Sequence, residues 1–313
     1  MRNHAVLGVI EKKRKVHTVK PLPAAVRGLL ASVTDTYTVL TEHSRPGTRR
    51  ASVWEIASPS GDARWFAKQH AAPRLHRREV DAYGRWVGAL GPDRAPSLVA
   101  ADDQSLTILV TAVSGHSLDT LRVSAEQEQE AYRQAGVLLA RLHAADTGEP
   151  RSEAVEEDWG GTVAKVLDAA ARYLTTDDIA VLRAVAHQAP QPLSKVVAHG
   201  DYMPRNWMYD EREQQLRLVA FERTQLEPAT RRDLSRLHYR VLHHRPDVAA
   251  AFYSGYGWPL SAEEEAARTK YAVLDALDAV RWGVEHRDID LVDEAHAMIA
   301  SLRAEHTRRT VGW

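Results

Sequence analysis

An aspartate and, five residues on, an asparagine stand in a loop that follows a short apolar run: Val196-Val197-Ala198-His199-Gly200-Asp201-Tyr202-Met203-Pro204-Arg205-Asn206-Trp207. These are the residue types that phosphoryl transfer calls for. The carboxylate of Asp201 can orient or deprotonate an attacking hydroxyl, and the carboxamide oxygen of Asn206 is a hard donor suited to Mg²⁺. Arg205, beside Asn206, is placed to touch the acceptor or a nucleotide phosphate, or else lies on the surface. His199 reads as a residue that packs and hydrogen-bonds within the loop. Upstream, Lys68 ends the β-rich run Trp65-Phe66-Ala67-Lys68, and Glu79 lies in the helical run Arg77-Arg78-Glu79-Val80-Asp81-Ala82-Tyr83. Nucleotide chemistry needs a cation near the phosphates and an anion to aim it, and this ordered pair supplies both.

The elements that must position these groups fall into two halves. The runs 36–40, 51–56 and 64–68, separated by turn residues, predict an antiparallel meander. Residues 73–90 predict a helix with Leu75, Val80, Tyr83 and Val87 on its apolar stripe. Strands are expected at 97–100 and 106–113, and a break at Gly115-His116-Ser117. The pattern then turns helical. Residues 126–145 carry Ala131, Ala135, Leu138, Leu139 and Leu142 at helical spacing, and 164–174 and 178–187 continue the pattern. After the loop, 206–209 and 216–221 predict a hairpin across the polar turn 210–215. The remainder reads as helix. Val273, Ala276, Leu277, Val280 and Val284 form one face of a helix, and Tyr271, Asp275, Asp278, Trp282 and Glu285 another. A β-rich half with one helix followed by a mainly helical half is an α+β arrangement. The expected division is residues 1–112 and 113–313.

Composition bounds the rest. The chain has 313 residues and is 44% hydrophobic, enough for two lobes with cores of their own. Net charge is −1, which gives no case for nucleic acid or a membrane surface as partner. The absence of cysteine excludes disulfides and thiolate chemistry. No run has transmembrane length and residues 1–20 lack a long apolar core, so a cytoplasmic protein, monomer or homodimer, is expected. Six Lys/Arg fall in residues 1–20, and ten Asp/Glu against four Lys/Arg in residues 261–300. The acidic segment reads as a solvated face, or as the lining of a pocket for a cationic ligand through Asp275 and Asp278.

The motifs together resemble the aminoglycoside phosphotransferase family, small-molecule relatives of protein kinases, over nearly the whole chain from about Tyr37. The resemblance implies a bilobal kinase-like fold. Residues 1–112 would be the nucleotide-binding lobe and 113–313 the catalytic and acceptor-binding lobe. It implies ATP or GTP and Mg²⁺ as cofactors and a hydroxylated small molecule as acceptor, an antibiotic or another natural product. Within it Lys68 resembles the phosphate-binding lysine of the third strand, and Glu79 its ion-pair partner. Thr111-Ala112-Val113 resembles the hinge whose backbone binds adenine, with Thr111 and Val113 as contacts. The loop 44–50, with Ser44 and Thr48, would cover the phosphates. Asp201 would be the catalytic base and Asn206 a metal ligand. The run Thr230-Arg231-Arg232-Asp233-Leu234 resembles the segment whose aspartate supports the catalytic loop through backbone N–H groups.

Two departures stand out. The loop 44–50 has a single glycine. Fourteen residues past Asn206, where the family places a second metal-binding Asp before Phe, the chain reads Ala220-Phe221-Glu222. A methyl cannot bind Mg²⁺. Glu222, two residues on, would share a face with Ala220 on an extended strand and so stand in as ligand. Three readings stay open: an engineered inactive variant, a natural pseudokinase, or an enzyme that uses Glu222. A serine or threonine hydroxyl of a peptide precursor is an alternative acceptor. No Ala-Pro-Glu segment follows Phe221, which counts against a protein kinase.

Overall fold

Alternating side chains explain the first lobe. The computed structural model describes residues 21–43, 51–146, 148, 152–154, 156–257 and 259–311. Helix α1 (Ala24–Ala31) precedes strands β1 (Thr38–Glu42), β2 (Ala51–Ala57) and β3 (Arg64–His70), helix α2 (Pro73–Arg85), and strands β4 (Leu98–Asp102) and β5 (Thr107–Thr111). The strands form one antiparallel sheet in the order β1-β2-β3-β5-β4. Trp54, Ile56, Ala67 and Leu109 point to one face and bury Val26 and Leu30 of α1. Their neighbours Val53, Phe66, Lys68 and Ile108 point to the other face, which lines a cleft. Lys68 sits in the middle of the sheet, opposite Val53 on one side and Ile108 on the other.

Helix α2 differs from its expected form. The helical run breaks at Trp86 (φ −125°) and resumes as a 3₁₀ turn over Val87–Leu90. Gly84 and Gly88 weaken helix propensity on both sides of that break. The fully buried residues of α2 are His76, Glu79 and Ala82; of the expected stripe, Val87 is buried and Tyr83 packs against the core, while Leu75 and Val80 are half-buried. Burial follows the ion pair that Glu79 makes, described below, and overrides hydropathy.

The second lobe holds β6 (His116–Ser117), α3 (Ala125–His143), β7 (Glu153–Ala154), α4 (Trp159–Ala170), α5 (Thr176–Val185), β8 (Leu193–Ala198), β9 (Trp207–Asp210), β10 (Gln215–Leu218), β11 (Gln225–Pro228), α6 (Asp233–Arg240), α7 (Pro246–Tyr256), α8 (Ala262–His286) and α9 (Ile289–Val311). Reciprocal capping boxes start α3 (Ser124, Gln127) and α8 (Ser261, Glu264). Ala131, Ala135, Leu138, Leu139 and Leu142 of α3 are all buried, as their spacing requires. Helices α3 and α7 cross backbone to backbone. A Cβ on Gly136 would lie 2.1 Å from the Phe252 carbonyl oxygen, and one on Gly255 1.9 Å from that of Arg133.

Two small sheets carry the loop that follows β8. One has the order β10-β9-β6 and the other β11-β8-β7. Strand β11 is an addition to the elements expected from sequence. It pairs antiparallel with β8, Gln225 opposite Ala198 and Pro228 opposite Lys195. Among the described residues, no helix is long and apolar enough to cross a membrane.

Candidate active site

The loop after β8 is held from below by one buried carboxylate. Asp233, at the start of α6, accepts the backbone N–H of His199 (2.7 Å, Oδ2) and of Gly200 (2.8 Å, Oδ1). His143 Nε2 lies 3.1 Å from the same Oδ2. Burial alone would raise the Asp233 pKa, but these hydrogen bonds and the nearby imidazoles hold it below the ordinary carboxylate value. The imidazole of His199 donates from Nε2 to the Val219 carbonyl (3.1 Å), while Nδ1 accepts the Asp201 N–H (3.3 Å). Both bonds suit one neutral tautomer, so His199 serves the loop's shape. Gly200 has φ +79°, and a Cβ there would meet the Arg223 carbonyl oxygen at 2.4 Å. Glycine is the residue that both conditions allow.

This frame presents Asp201. Its Oδ1 accepts from Arg205 Nη2 at 2.6 Å and lies 3.8 Å from Arg236 Nη1. Asn206, on the 3₁₀ turn Pro204–Asn206, donates from Nδ2 to the Asp201 backbone carbonyl (2.8 Å) and to Oδ2 (3.2 Å). The Asn206 backbone carbonyl accepts the Val219 N–H at 3.1 Å, while its side-chain Oδ1 makes no hydrogen bond among the described residues and is available to a cation. Burial pushes the Asp201 pKa up, but Arg205, Arg223 and Arg236 outweigh it and hold the carboxyl well below its usual range. A carboxylate so stabilised is a weak base. It is better suited to orienting a hydroxyl than to stripping its proton.

Across the cleft, Lys68 lies between two carboxylates. Its Nζ is 2.8 Å from Glu79 Oε2 and 2.9 Å from Glu222 Oε2. His70 Nε2 lies 2.9 Å from the same Glu79 oxygen. Burial would lower the Lys68 pKa, but the two glutamates, Glu79 first, drive it above the ordinary lysine value. Burial likewise would raise Glu222, and Lys68 holds it below the usual carboxylate range. The face-sharing expected of Ala220 and Glu222 does not occur. Strand β10 ends at Leu218, and Ala220 is left-handed with φ +69°. Strand alternation therefore does not extend to Glu222, which reaches Lys68 instead. The Ala220 side chain faces the cleft.

The cleft between the lobes has a volume of about 730 Å³ and is lined by Lys68, Glu79, Thr111, Val113, Arg205 and Ala220 among others. At its back edge Thr111 and Ala112 spend their N–H groups on the Ser97 and Arg64 carbonyls. The Val113 N–H has no backbone partner among the described residues. Ser44 and Thr48 lie outside the described residues. Asp275 does not line an open pocket. It is buried on α8 and shared by Arg236 Nε and by Arg240 Nη2 (2.6 Å), so its charge is already spent. Asp278 is exposed on the same helix, 3.5 Å from Arg281. The acidic pocket wall expected from residues 261–300 is therefore not formed by Asp275.

Among the described residues, no cluster of three or more His, Asp or Glu side chains gathers as a metal site. The oxygen donors at hand are Asn206 and, on release from Lys68, Glu222. That set suits one Mg²⁺ held largely by a nucleotide's phosphates, the manner in which Mg²⁺ is commonly bound. Sequence reading missed the arginines around Asp201. Arg223 carries no motif, and only the density of arginine in 231–236 hints at Arg236.

Fold, loop and cleft together define a kinase-like phosphotransferase. The model of the phosphotransferase enzyme family (APH) matches residues 45–264, and the chain belongs to that family. No curated protein matches the chain. Solved structures with the same fold are distant in sequence. One is a thermostable mutant of aminoglycoside phosphotransferase APH(4)-Ia in ternary complex with AMP-PNP and hygromycin B. It is 11% identical with TM-score 0.65, over 90% of this chain and 98% of that one. Another is the GDP complex of aminoglycoside 2'-phosphotransferase-IIIa, 13% identical with TM-score 0.63, over 88% and 96%. A third is macrolide 2'-phosphotransferase MphH from Brachybacterium faecium, 16% identical with TM-score 0.57, over 88% and 98%.

Proposed function

We propose that the protein moves the γ-phosphate of ATP or GTP to a hydroxyl of a small molecule, an antibiotic or other natural product. The acceptor O–P bond forms as the bond from the γ-phosphorus to the bridging oxygen breaks. Asp201 orients the hydroxyl, whose proton is lost to a phosphoryl oxygen and on to solvent as the bond forms, and the nucleoside diphosphate leaves. Residues 1–112 serve as the nucleotide lobe and 113–313 as the catalytic and acceptor lobe. The observation that carries this reading is the pairing of Lys68 with Glu79 on one wall of the cleft, with the Asp201–Asn206 contact on the loop of the other lobe. Lys68 would bind phosphate oxygens while Glu79 keeps it aimed. The Val113 N–H would meet the base. Arg205 must leave Asp201 for the hydroxyl to take its place. Mg²⁺, held by Asn206 and Glu222, would neutralise charge on the phosphates. Neighbours bound to AMP-PNP and to GDP support a nucleotide without choosing between ATP and GTP.

Thermal-shift titration with AMP-PNP and Mg²⁺ tests the first half. Nucleotide at a hundred times its Kd stabilises the native state by about 2.7 kcal/mol, and Lys68→Ala should reduce the shift. No shift at millimolar nucleotide would sink the reading. A second reading, a pseudokinase that binds nucleotide without turnover, is favoured by Ala220. It predicts the thermal shift but no transfer to any hydroxylated acceptor.

A further inference from the structure

Arg205 touches Asp201 and faces the nucleotide side of the cleft at once. Its Nη2 donates to Asp201 Oδ1 at 2.6 Å, and its side chain lines the same cleft as Lys68 and Ala220. The backbone around it is pinned. The Ser117 hydroxyl donates to the Arg205 carbonyl at 3.2 Å. The 3₁₀ turn closes through the Asn206 N–H on the Met203 carbonyl at 2.8 Å. The Val219 N–H on the Asn206 carbonyl, at 3.1 Å, then sets Val219-Ala220 beside Arg205-Asn206. The Arg205 side chain, by contrast, can turn. It is 31% exposed, against 15% for Asp201 and 17% for Arg236, and Asp201 is its one ion-pair partner among the described residues.

Asp201 is not stranded when Arg205 leaves. Asn206 Nδ2 stays on its Oδ2 at 3.2 Å, and Arg236 Nη1 stays 3.8 Å from Oδ1. Arg236 is itself tied down by Asp275 and by the Gly200 carbonyl, so of the two arginines Arg205 is the one able to move. Two needs meet at its guanidinium. The incoming hydroxyl has to take the Asp201 oxygen that Arg205 now holds. The phosphoryl group in flight carries negative charge on its three equatorial oxygens. Ala220 brings only a methyl to the cleft wall, and the remaining oxygen donors, Asn206 and Glu222, suit one Mg²⁺ where protein kinases hold two.

Resting on the phosphotransferase reading, we propose that Arg205 is a catalytic residue: as the acceptor hydroxyl reaches Asp201, the guanidinium turns onto the transferring phosphoryl group and carries part of the charge that a second metal would carry. The acceptor O–P bond forms as the bond from the γ-phosphorus to the bridging oxygen breaks, and that electron pair leaves on the nucleoside diphosphate. Arg205 keeps its protons throughout and donates two N–H groups to phosphoryl oxygens, which its planar fork matches. The same turn takes from Asp201 the foremost of the cations that hold its pKa down, so the hydroxyl meets a stronger acceptor than the empty site offers.

The test compares the wild type with Arg205→Gln and Arg205→Ala. ADP with Mg²⁺ should bind all three alike by calorimetry, since ADP lacks the phosphoryl group, and this also shows that the variants are folded. Aluminium fluoride, a mimic of the transferring phosphoryl group, should tighten ADP binding to the wild type by about tenfold or more and leave Arg205→Gln nearly unmoved. ATP turnover with water as the acceptor should fall about 10²-fold or more in kcat, with the KM for ATP unchanged. Guanidine hydrochloride at a non-denaturing concentration should restore part of the turnover of Arg205→Ala, which a purely structural loss would not allow. In an Ala220→Asp background the loss from Arg205→Gln should shrink, because both changes act on the same charge. An aluminium fluoride effect equal in wild type and Arg205→Gln overturns the proposal, as does turnover that Arg205→Gln leaves intact. Loss of ADP binding in Arg205→Gln overturns it too and makes Arg205 a support of the resting site. Failure of the wild type to bind either ADP or AMP-PNP removes the phosphotransferase reading itself.

Discussion

Replacing Ala220 separates a conformational cost from a chemical deficit at one position. Its φ of +69° puts a residue with a Cβ in the left-handed region, which costs about 1–2 kcal/mol. Glycine removes that cost but gives back about 0.5–1 kcal/mol of backbone entropy. Ala220→Gly should therefore gain about 0.5–1 kcal/mol, a rise in Tm of roughly 1–3 °C for a chain of this size. Aspartate tolerates the left-handed region better than alanine because its side chain can bond locally. Ala220→Asp should be neutral in stability to within about 0.5 kcal/mol. It would place a carboxylate on the cleft wall, opposite Lys68 and near Asn206. A bound metal ion is worth several kcal/mol to phosphoryl transfer, and each ~1.4 kcal/mol is about tenfold in rate. Restoring a principal ligand should raise turnover by roughly 10²-fold. Scanning fluorimetry of the three proteins with AMP-PNP across a Mg²⁺ series gives a readout independent of turnover. Only Ala220→Asp should reach full stabilisation at lower Mg²⁺. If Ala220→Asp is no more active than Ala220→Gly and its Mg²⁺ curve does not move, Ala220 is not the missing ligand position. Glu222→Ala then decides: loss of residual activity makes Glu222 the working ligand, and no activity in any variant makes the chain a pseudokinase. A loss of more than about 2 kcal/mol in Ala220→Asp would refute the conformational reasoning.

Asp201→Asn should abolish transfer while leaving the AMP-PNP thermal shift within about twofold in affinity, since the carboxylate acts on the acceptor rather than the nucleotide; turnover kept above a tenth would remove Asp201 from its role. Asp233→Asn should cost about 2–3 kcal/mol in urea unfolding, because an amide nitrogen would face the His199 or Gly200 N–H that the carboxylate now accepts; an unchanged midpoint would show that the loop does not depend on it. His238 gives a pH signature. Burial, then Arg268, His243 and His244, push its pKa down to about 3, and Tyr253 Oη and Tyr239 also border it. The unfolded state binds the proton more readily, so this residue's contribution falls as pH drops from about 6.5 toward 3, by roughly 1.4 kcal/mol per unit. His238→Gln should flatten that slope, and an identical slope would show that other groups set it.

Much of the site was legible because its parts are local in sequence. Strand β8, the loop with Asp201 and Asn206, and the Lys68-bearing strand each declare themselves within a dozen residues. The supporting role expected of Asp233 is realised in two backbone hydrogen bonds. What stayed hidden depends on partners distant in the chain. Strand β11 has no alternating apolar pattern in Gln225-Leu226-Glu227-Pro228, and it is a strand because β8 offers it an edge. His76 and Glu79 are buried against hydropathy because Lys68 and the sheet accept them. Asp275 read as a free acid on a helix face, and only folding brings Arg236 and Arg240 to it. The guanidinium groups of Arg205, Arg223 and Arg236 come from three separate segments, so no window of sequence shows them around Asp201.

The glycine crossing of α3 and α7 sets a tolerance for everything above it. Tyr202, next to Asp201, anchors its hydroxyl on the Ala135 carbonyl at 2.6 Å, one residue before the glycine whose missing Cβ lets the helices touch. A methyl group at Gly136 or Gly255 would act as a wedge. It would lift α3 away from α7, and the lift would travel through Ala135 and the Tyr202 phenol to the residue that must meet the acceptor. Substitutions at these two positions, remote from any ligand, should thus loosen the alignment of Asp201 and register as lost turnover before they register as lost nucleotide binding.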